Sequence, residues 1–144
     1  MPVVMRSRKH SALPVLIALA IGFFGCAPGP AFTRVQPTST HAVIYVYRTT
    51  DPVSSNLEPD ITCGHTTVAI VSGGYYTFVE EPGTTACYAS SDPSSRIEFE
   101  TRPEAEYFVS EKVAAGVYAG RVTLKQVSNA MGLDEIQMCN YTVK

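Results

Sequence analysis

The fold is decided by the run Val43-Ile44-Tyr45-Val46-Tyr47, in which every residue is β-branched or aromatic. Such residues favour the extended backbone of a β-strand. Successive side chains of a strand point to opposite faces, so this run would present apolar side chains on both of them. A strand with two apolar faces is typical of a sheet that is covered on each side. We therefore predict that residues 43–47 form a central strand.

The sequence beyond this strand consists of short apolar runs separated by turn residues. Turns are expected at Ser72-Gly73-Gly74 and at Pro82-Gly83, because glycine and proline supply the backbone angles that tight turns require. Residues 128–135 are compatible with one helical turn, which Gly132 weakens, and residues 136–143 with a final edge strand or tail. The further predicted strands are residues 62–71, 75–79, 84–89, 96–100, 106–111 and 117–127.

Strict alternation in two of these runs predicts which side chains face the core. Residues 96–100 alternate charged and apolar side chains, and in the last run Tyr118, Val122 and Leu124 share one face. About seven strands in roughly 100 residues, with no convincing amphipathic helix, indicate an all-β domain. We predict an antiparallel β-sandwich.

The composition is that of one ordinary globular domain. The chain has 144 residues, of which 45% are hydrophobic and 17% are charged. The formal net charge is -2, so the chain lacks the excess of positive charge that is typical of nucleic-acid-binding proteins. We expect no nucleic acid among its partners.

The N-terminal 25 residues have the pattern of a secretory signal peptide. Arg6, Arg8 and Lys9 form a basic start, and an uncharged apolar run over residues 12–25 follows. That run is shorter than the roughly 20 residues that a membrane-spanning helix needs, and its alternative interpretation is a buried core helix. Removal of residues 1–25 takes basic residues and no acidic ones, so the exported part is acidic.

The run Phe23-Phe24-Gly25-Cys26 resembles the lipobox of bacterial lipoproteins, although both phenylalanines depart from its usual residues. The resemblance implies that Cys26 carries diacylglycerol and palmitate and anchors the protein to a membrane. Soluble export after cleavage at Ala27 and an uncleaved anchor are the alternatives. Because Ala27 is not the aspartate that resembles an inner-membrane retention signal, we expect the outer membrane, on its periplasmic side.

Residues 26–40 are expected to be a lipidated tether, because they contain three prolines and show no periodicity. The predicted β-sandwich domain then occupies residues 41–144. In the alternative, the same segment is an irregular edge of the domain, with Phe32 and Val35 touching the core. The two interpretations are compatible.

Four segments, in their order and spacing, resemble the small bacterial lipoproteins grouped as domain of unknown function 2846. They are residues 44–48, 68–75, 81–83 and 105–109, and the resemblance covers roughly residues 42–127. It implies a β-sandwich of the transthyretin or carboxypeptidase-regulatory kind, attached to the cell envelope and without an established activity. The family offers no catalytic residues to carry over.

Three cysteines remain if Cys26 carries lipid, an odd number for an oxidising compartment. We predict a disulfide between Cys63 and Cys87, with a pair involving Cys139 as the alternative. An unpaired Cys139 is expected to be a small buried hydrophobe. If both expected turns made hairpins within one flat sheet, the strands of Cys63 and Cys87 would be about 9–10 Å apart. That exceeds the reach of a disulfide, so the pair requires a crossing to a second sheet or a fold-back at Pro82-Gly83.

The sequence contains few residues with catalytic or metal-binding chemistry. Cys63-Gly64-His65 supplies at most two metal ligands, no C-x-x-C pair is present, and His41 is the other histidine beyond residue 25, so we expect no metal and no cofactor. Cys63 and His65 share a face of a strand, but a bridged Cys63 cannot act as a nucleophile. The following carboxylates are expected to form a solvated face: Glu80, Glu81, Glu98, Glu100, Glu104 and Glu106.

The segment Ser72-Gly73-x-x-Tyr76 resembles the loop that lysozyme inhibitors insert into the enzyme's cleft, and it also fits a routine turn. We expect a non-catalytic envelope lipoprotein: a binding or structural module of unknown ligand, with an envelope protein as a further partner. The alternatives are a periplasmic inhibitor of a lysozyme-like enzyme and a small thiol or hydrolytic enzyme.

Overall fold

The computed structural model describes residues 27–115 and 120–142. The predicted signal peptide and Cys26 lie outside these residues. The elements in chain order are β1 (Ala42–Tyr47), β2 (Asp60–Cys63), β3 (Thr66–Ala69), β4 (Gly74–Glu80), β5 (Gly83–Ala89), β6 (Asp92–Thr101), β7 (Glu106–Ala114), β8 (Arg121–Val127), α1 (Asn129–Ile136) and β9 (Asn140–Tyr141).

The strands form two sheets that face each other, which confirms the all-β sandwich. The five-stranded sheet has the order β8-β7-β1-β4-β9, and the four-stranded sheet has the order β3-β2-β5-β6. β1 is the middle strand of the larger sheet, and all six of its residues are buried. The central position that its two apolar faces predict is therefore confirmed.

The main core lies between the two sheets. Ile44 and Val46 of β1 pack there against Val109 of β7 and Phe78 of β4, which are its neighbours on either side. The buried members of this core are Ile44, Val46, Ile61, Cys63, Ile70, Phe78, Cys87, Ala89, Val109, Val113, Val122 and Leu124.

A second, smaller core covers the outer face of the five-stranded sheet. It contains the odd-numbered side chains of β1, which are Val43, Tyr45 and Tyr47, together with Phe108 of β7 and Ile136 of α1. Gly132 of α1 lies directly on Phe108, because a Cβ at this position would overlap the phenylalanine side chain. The glycine that lowers helix propensity therefore lets α1 approach the sheet closely.

The N-terminal segment, residues 27–38, lies against this outer core. Phe32 contacts the rings of Tyr45 and Tyr75, each with ring centroids 5.3 Å apart. The backbone N–H of Val35 donates to the Tyr45 hydroxyl at 2.8 Å. Ala27 is 4% exposed. The segment that we expected as a tether thus makes contacts with the domain, as its alternative interpretation requires for Phe32.

Three features of the strands differ from expectation. Residues 62–71 do not form one strand, because the chain turns at Gly64, whose φ of 56° is in the left-handed region, and so forms β2 and β3. Neither expected turn makes a hairpin, since the segments before and after β4 each cross to the other sheet. The arrangement is not purely antiparallel either: β1 pairs in parallel with β7, and β4 with β9. Between the two strands of each parallel pair the chain passes through the other sheet and returns, and such crossover connections permit parallel neighbours.

Two further observations concern helices. α1 spans eight residues, more than the single turn expected for residues 128–135, and the Ser128 side chain caps its first turn by accepting from the Met131 N–H. No helix within the described part of the chain is long and apolar enough to cross a membrane.

Candidate functional site

Cys63 and Cys87 lie opposite each other on β2 and β5, which are neighbouring antiparallel strands. Their Cα atoms are 4.2 Å apart and their Sγ atoms are bonded. Both side chains are buried in the core between the sheets. The predicted disulfide is present because the chain crosses to the other sheet twice between the two cysteines, as the distance argument demands. Cys139 is buried in the outer core, in accord with the expected buried hydrophobe.

Neither of the two histidines beyond residue 25 is buried. His65 is exposed in the turn between β2 and β3, so it does not share a strand face with Cys63 as expected, and Cys63 is bonded to Cys87. His41 contacts the Thr40 hydroxyl through Nδ1 at 2.9 Å. Within the described residues, no group of three or more His, Cys, Asp or Glu side chains is placed to hold a metal ion.

The Ser72-Gly73-x-x-Tyr76 segment is largely buried. Ser72 is 5% exposed, and its Oγ accepts a hydrogen bond from the Asp51 N–H at 2.9 Å. Gly73 has a φ of 72°, as its predicted turn requires, and its carbonyl accepts from the Asn140 N–H. A loop that enters an enzyme's cleft must expose its side chains, and Ser72 does not.

Most carboxylates predicted to be solvated are exposed, and Glu106 differs from them. Its side chain is 7% exposed and pairs with the Arg34 guanidinium. The hydrogen of the Tyr45 hydroxyl is shared between a Glu106 carboxylate oxygen at 3.3 Å and the Val35 carbonyl at 3.0 Å, and burial raises the pKa of Tyr45 to about 12. Glu80 is half-buried, and burial raises the pKa of its carboxyl. Glu106 therefore helps to hold the N-terminal segment on the sheet.

The most unusual polar groups are Arg48 and Glu111, which are each 1% exposed. Glu111 lies on β7 between Val109 and Val113, so its side chain points toward the core between the sheets. Arg48 directly follows Tyr47, which is the partner of Ser110 in the parallel pair of β1 and β7. A buried guanidinium and a buried carboxyl thus lie near each other at the end of β1, close enough for the charge of Arg48 to act on Glu111 but without a direct hydrogen bond between them.

Arg48 also holds the loop that follows it. One of its terminal nitrogens donates to the Leu57 carbonyl at 2.6 Å, and the other to the Ser54 Oγ at 2.8 Å. The Ser54 hydroxyl in turn donates to a carboxylate oxygen of Asp51 at 2.7 Å. These bonds fold residues 49–59 over the end of β1.

Three atoms of the pair have no hydrogen-bond partner within the described residues: Nε of Arg48 and both carboxyl oxygens of Glu111. Buried polar atoms without partners are rare in folded proteins, because their lost hydration is not replaced. Burial raises the pKa of Glu111 to about 8, although the positive charge of Arg48 opposes the shift. The carboxyl is therefore mainly protonated at neutral pH.

A cavity of about 620 Å³ is lined in part by Arg48 and Glu111, whose unpartnered atoms are themselves buried beneath its surface. It lies beyond the end of β1, where residues 111–114 of β7 continue and pair only with β8. Val53, Val113 and Ala114 supply apolar lining, and Lys112 and Asp51 supply charges. A cavity of this size with a few polar groups, one of them with a strongly shifted pKa, has the properties of a ligand site.

Sequence reasoning missed this site. The signal was a charged residue at an inward-facing position of a strand, Val109-x-Glu111-x-Val113, but the predicted strand ended at Glu111 and its alternation was not followed further. Arg48 gave no comparable signal, since it follows a strand and precedes a polar loop.

Comparisons with protein-family models, with curated proteins and with solved structures find no match to this chain.

Proposed function

We propose that this chain is an envelope lipoprotein whose β-sandwich is a non-catalytic binding module, with the cavity at Arg48 and Glu111 as its ligand site. The observation that carries the proposal is the set of unpartnered polar atoms of Arg48 and Glu111 beside that cavity. Leaving such atoms without hydrogen bonds costs about 1–3 kcal/mol for each group. A ligand that supplies the missing partners would recover this free energy on binding.

The envelope assignment rests on the N-terminal sequence and on the cysteines. A basic start, a short apolar run and Gly25-Cys26 favour a lipidated export substrate. The bond between Cys63 and Cys87 fits an oxidising compartment. The resemblance to domain of unknown function 2846 supports attachment to the cell envelope, and Ala27 in place of aspartate favours the periplasmic side of the outer membrane.

A lipid on Cys26 would hold the domain close to the bilayer. Ala27, the next residue, is buried, and its carbonyl accepts from the Asn140 side chain at 3.0 Å. The edge of the larger sheet at β9 would then lie next to the membrane.

The anchor is tested by expressing the full chain in a diderm bacterium with a clickable palmitate analogue. We expect the wild type to be labelled and to fractionate with the outer membrane, and Cys26→Ala to be unlabelled and soluble in the periplasm. Equal solubility and equal lack of label for both proteins would contradict the anchor.

The ligand site is tested by nuclear magnetic resonance of the isotope-labelled exported chain with a library of small fragments. We expect shifts at residues 111–114 and at the loop after β1. Ala114→Phe should abolish these shifts by filling the cavity, whereas Ala130→Phe, at an exposed position of α1, should preserve them. The absence of shifts with every fragment, or shifts that survive Ala114→Phe, would contradict the site.

A further inference from the structure

We propose that the cavity binds a small amphipathic carboxylate, with the carboxylate group at Arg48 and Glu111 and the apolar body along Val53, Val113 and Ala114. This inference rests on the proposed ligand site and adds the chemical class of the ligand.

The charges around the cavity favour an anion. Arg48 and Lys112 are positive, Asp51 is negative, and Glu111 is mainly neutral because burial raises its pKa to about 8. The cavity is lined by Arg48 and the loop after β1, by the end of β7 and by β8, and the residue that β8 contributes is the uncharged Thr123. The charged groups around Glu111 are therefore Arg48, which is buried, Lys112, which is at an exposed position, and Asp51. Together they carry one net positive charge.

The unpartnered atoms favour a hydrogen-bond acceptor. Nε of Arg48 carries a donor hydrogen, and the protonated carboxyl of Glu111 carries a second. Both donors are buried in the structure, so binding requires these two side chains to turn toward the cavity. A carboxylate has two acceptor oxygens and no donor, and hydrogen bonds to a charged acceptor are roughly twice as strong as neutral ones. An alkylammonium ion would offer donors where donors are already present, and Arg48 would repel it.

The remaining lining favours an apolar body. Val53 is 76% exposed, which is unusual for a large hydrophobic side chain in this chain, and it lies at the cavity. Val113 and Ala114 line the same space. Burial of apolar ligand surface against these groups contributes roughly 25 cal/mol per Å². The carboxylate could belong to a short alkanoic acid or to the C-terminus of a hydrophobic peptide, which share this chemistry.

Binding should weaken as the pH rises through the pKa of Glu111. The protonated carboxyl donates to the ligand, whereas the ionised carboxylate repels it, and the ligand itself stays anionic throughout this range. Affinity should therefore be nearly constant around pH 7 and fall about 10-fold per pH unit above about 8. Between pH 7 and about 9.5, the expected loss is roughly 30-fold.

The test is calorimetric or magnetic-resonance titration of the exported chain with hexanoate, hexanol and hexylammonium at these two pH values. We expect hexanoate to bind most tightly, with the stated loss at high pH. Glu111→Gln should bind hexanoate with little pH dependence, because its amide still donates a hydrogen bond and does not titrate. Glu98→Gln, at an exposed position of β6, should behave like the wild type.

N-acetylvaline and N-acetylvalinamide distinguish a peptide C-terminus from a free acid. If N-acetylvaline binds more tightly than hexanoate, the ligand is a peptide.

Two outcomes would overturn the inference while the ligand site survives: hexanol or hexylammonium binding as tightly as hexanoate, or hexanoate binding that does not change with pH. Lack of saturable binding by any probe up to about 10 mM would also overturn it. The fragment library with Ala114→Phe then tells whether the proposed ligand site fails as well.

Discussion

The two faces of the five-stranded sheet are covered in different ways. The inner face is covered by a complete second sheet, which a disulfide cross-links, and Ile44 and Val46 pack there. The outer face is covered by α1 and by residues 27–38, neither of which is a sheet, and Tyr45 and Tyr47 pack there. β1 therefore contacts both layers. Its aliphatic side chains pack on the second sheet, and its tyrosines pack on the cover formed by α1 and residues 27–38.

The hydroxyl groups of the tyrosines on the outer face form hydrogen bonds to α1 and to residues 27–38. Tyr45 donates to the Val35 carbonyl at 3.0 Å, Tyr75 accepts from the Thr33 N–H at 3.2 Å, and Tyr47 donates to Glu135 of α1. A layer held by a few such bonds opens at lower free energy than one held by a whole sheet. We therefore expect local unfolding to begin on the outer face, whereas substitutions at the inner face should destabilise the whole domain.

The largest expected effect comes from Glu111 on the inner face. Its pKa is about 8 when folded and near 4.5 when unfolded, so the folded state binds the proton more tightly. Stability should therefore fall as the pH rises from about 4.5 to 8, by an amount on the order of 4 kcal/mol, and then level off. Denaturant unfolding at a series of pH values measures this slope.

Glu111→Gln removes the titrating group and should remove this part of the pH dependence, so that the variant is more stable than the wild type near pH 8. Glu98→Gln, at an exposed position, should keep the wild-type slope. Parallel pH profiles of the wild type and Glu111→Gln would refute the assignment.

The second effect concerns the cross-link of the inner layer. The paired replacement Cys63→Ala and Cys87→Ala should lower the free energy of unfolding by about 3 kcal/mol, because the bond closes a loop between residues 24 apart in sequence. Thermal or denaturant unfolding under non-reducing conditions measures the loss. Cys139→Ala, which alters a buried cysteine of the outer core, is the matched control, and we expect a loss of about 1 kcal/mol there. Equal losses would contradict the difference between the layers.

The inner layer was also the more predictable one from sequence. The alternation in residues 96–100 and at Val122 and Leu124 identified inward side chains correctly, because a half-buried strand repeats every two residues. The disulfide was predicted from the expected oxidising compartment, and the distance argument said which architecture it requires. The outer layer was predicted less completely. The two apolar faces of residues 43–47 indicated a sheet covered on each side, and one interpretation placed Phe32 on the core, but no periodic pattern identified α1 as part of the cover.

The site at Arg48 and Glu111 was not predicted, for a different physical reason. Whether a charged residue at a strand position is buried depends on where the neighbouring strand ends, and β1 ends at Tyr47 while β7 continues to Ala114. That register arises from pairing between residues about 60 positions apart, which short-range patterns do not encode.

The third effect isolates the outer layer. Phe32→Ala removes the ring that contacts Tyr45 and Tyr75, and we expect a loss of about 2 kcal/mol, since Phe32 is only half-buried. Hydrogen exchange should accelerate at the amides of Thr33 and Val35 while β2 and β5 keep their protection. Phe99→Ala, which removes a half-buried ring packed on the inner core, should accelerate exchange in both sheets. Identical exchange patterns for the two variants would show that the layers do not open separately.

The smallest effect is that of one hydroxyl on the outer face. Tyr47 is buried, and its hydroxyl donates to the Glu135 carboxylate of α1. Burial and this hydrogen bond raise the pKa of Tyr47, so the hydroxyl stays protonated and remains a donor at every pH at which the domain is studied. Tyr47→Phe should therefore cost about 1 kcal/mol, because the bond is lost and the half-buried carboxylate is left with fewer partners. Exchange at the α1 amides should rise by the corresponding factor of roughly five, with little change in β5.

Tyr88→Phe is the control and should leave exchange in α1 unchanged. Tyr88 lies on the smaller sheet, where the Arg96 guanidinium is 5.6 Å from its ring centre. If Tyr47→Phe left exchange in α1 unaltered, the hydroxyl would not fasten this helix, and packing of Ile136 and Gly132 on the sheet would be sufficient to hold it.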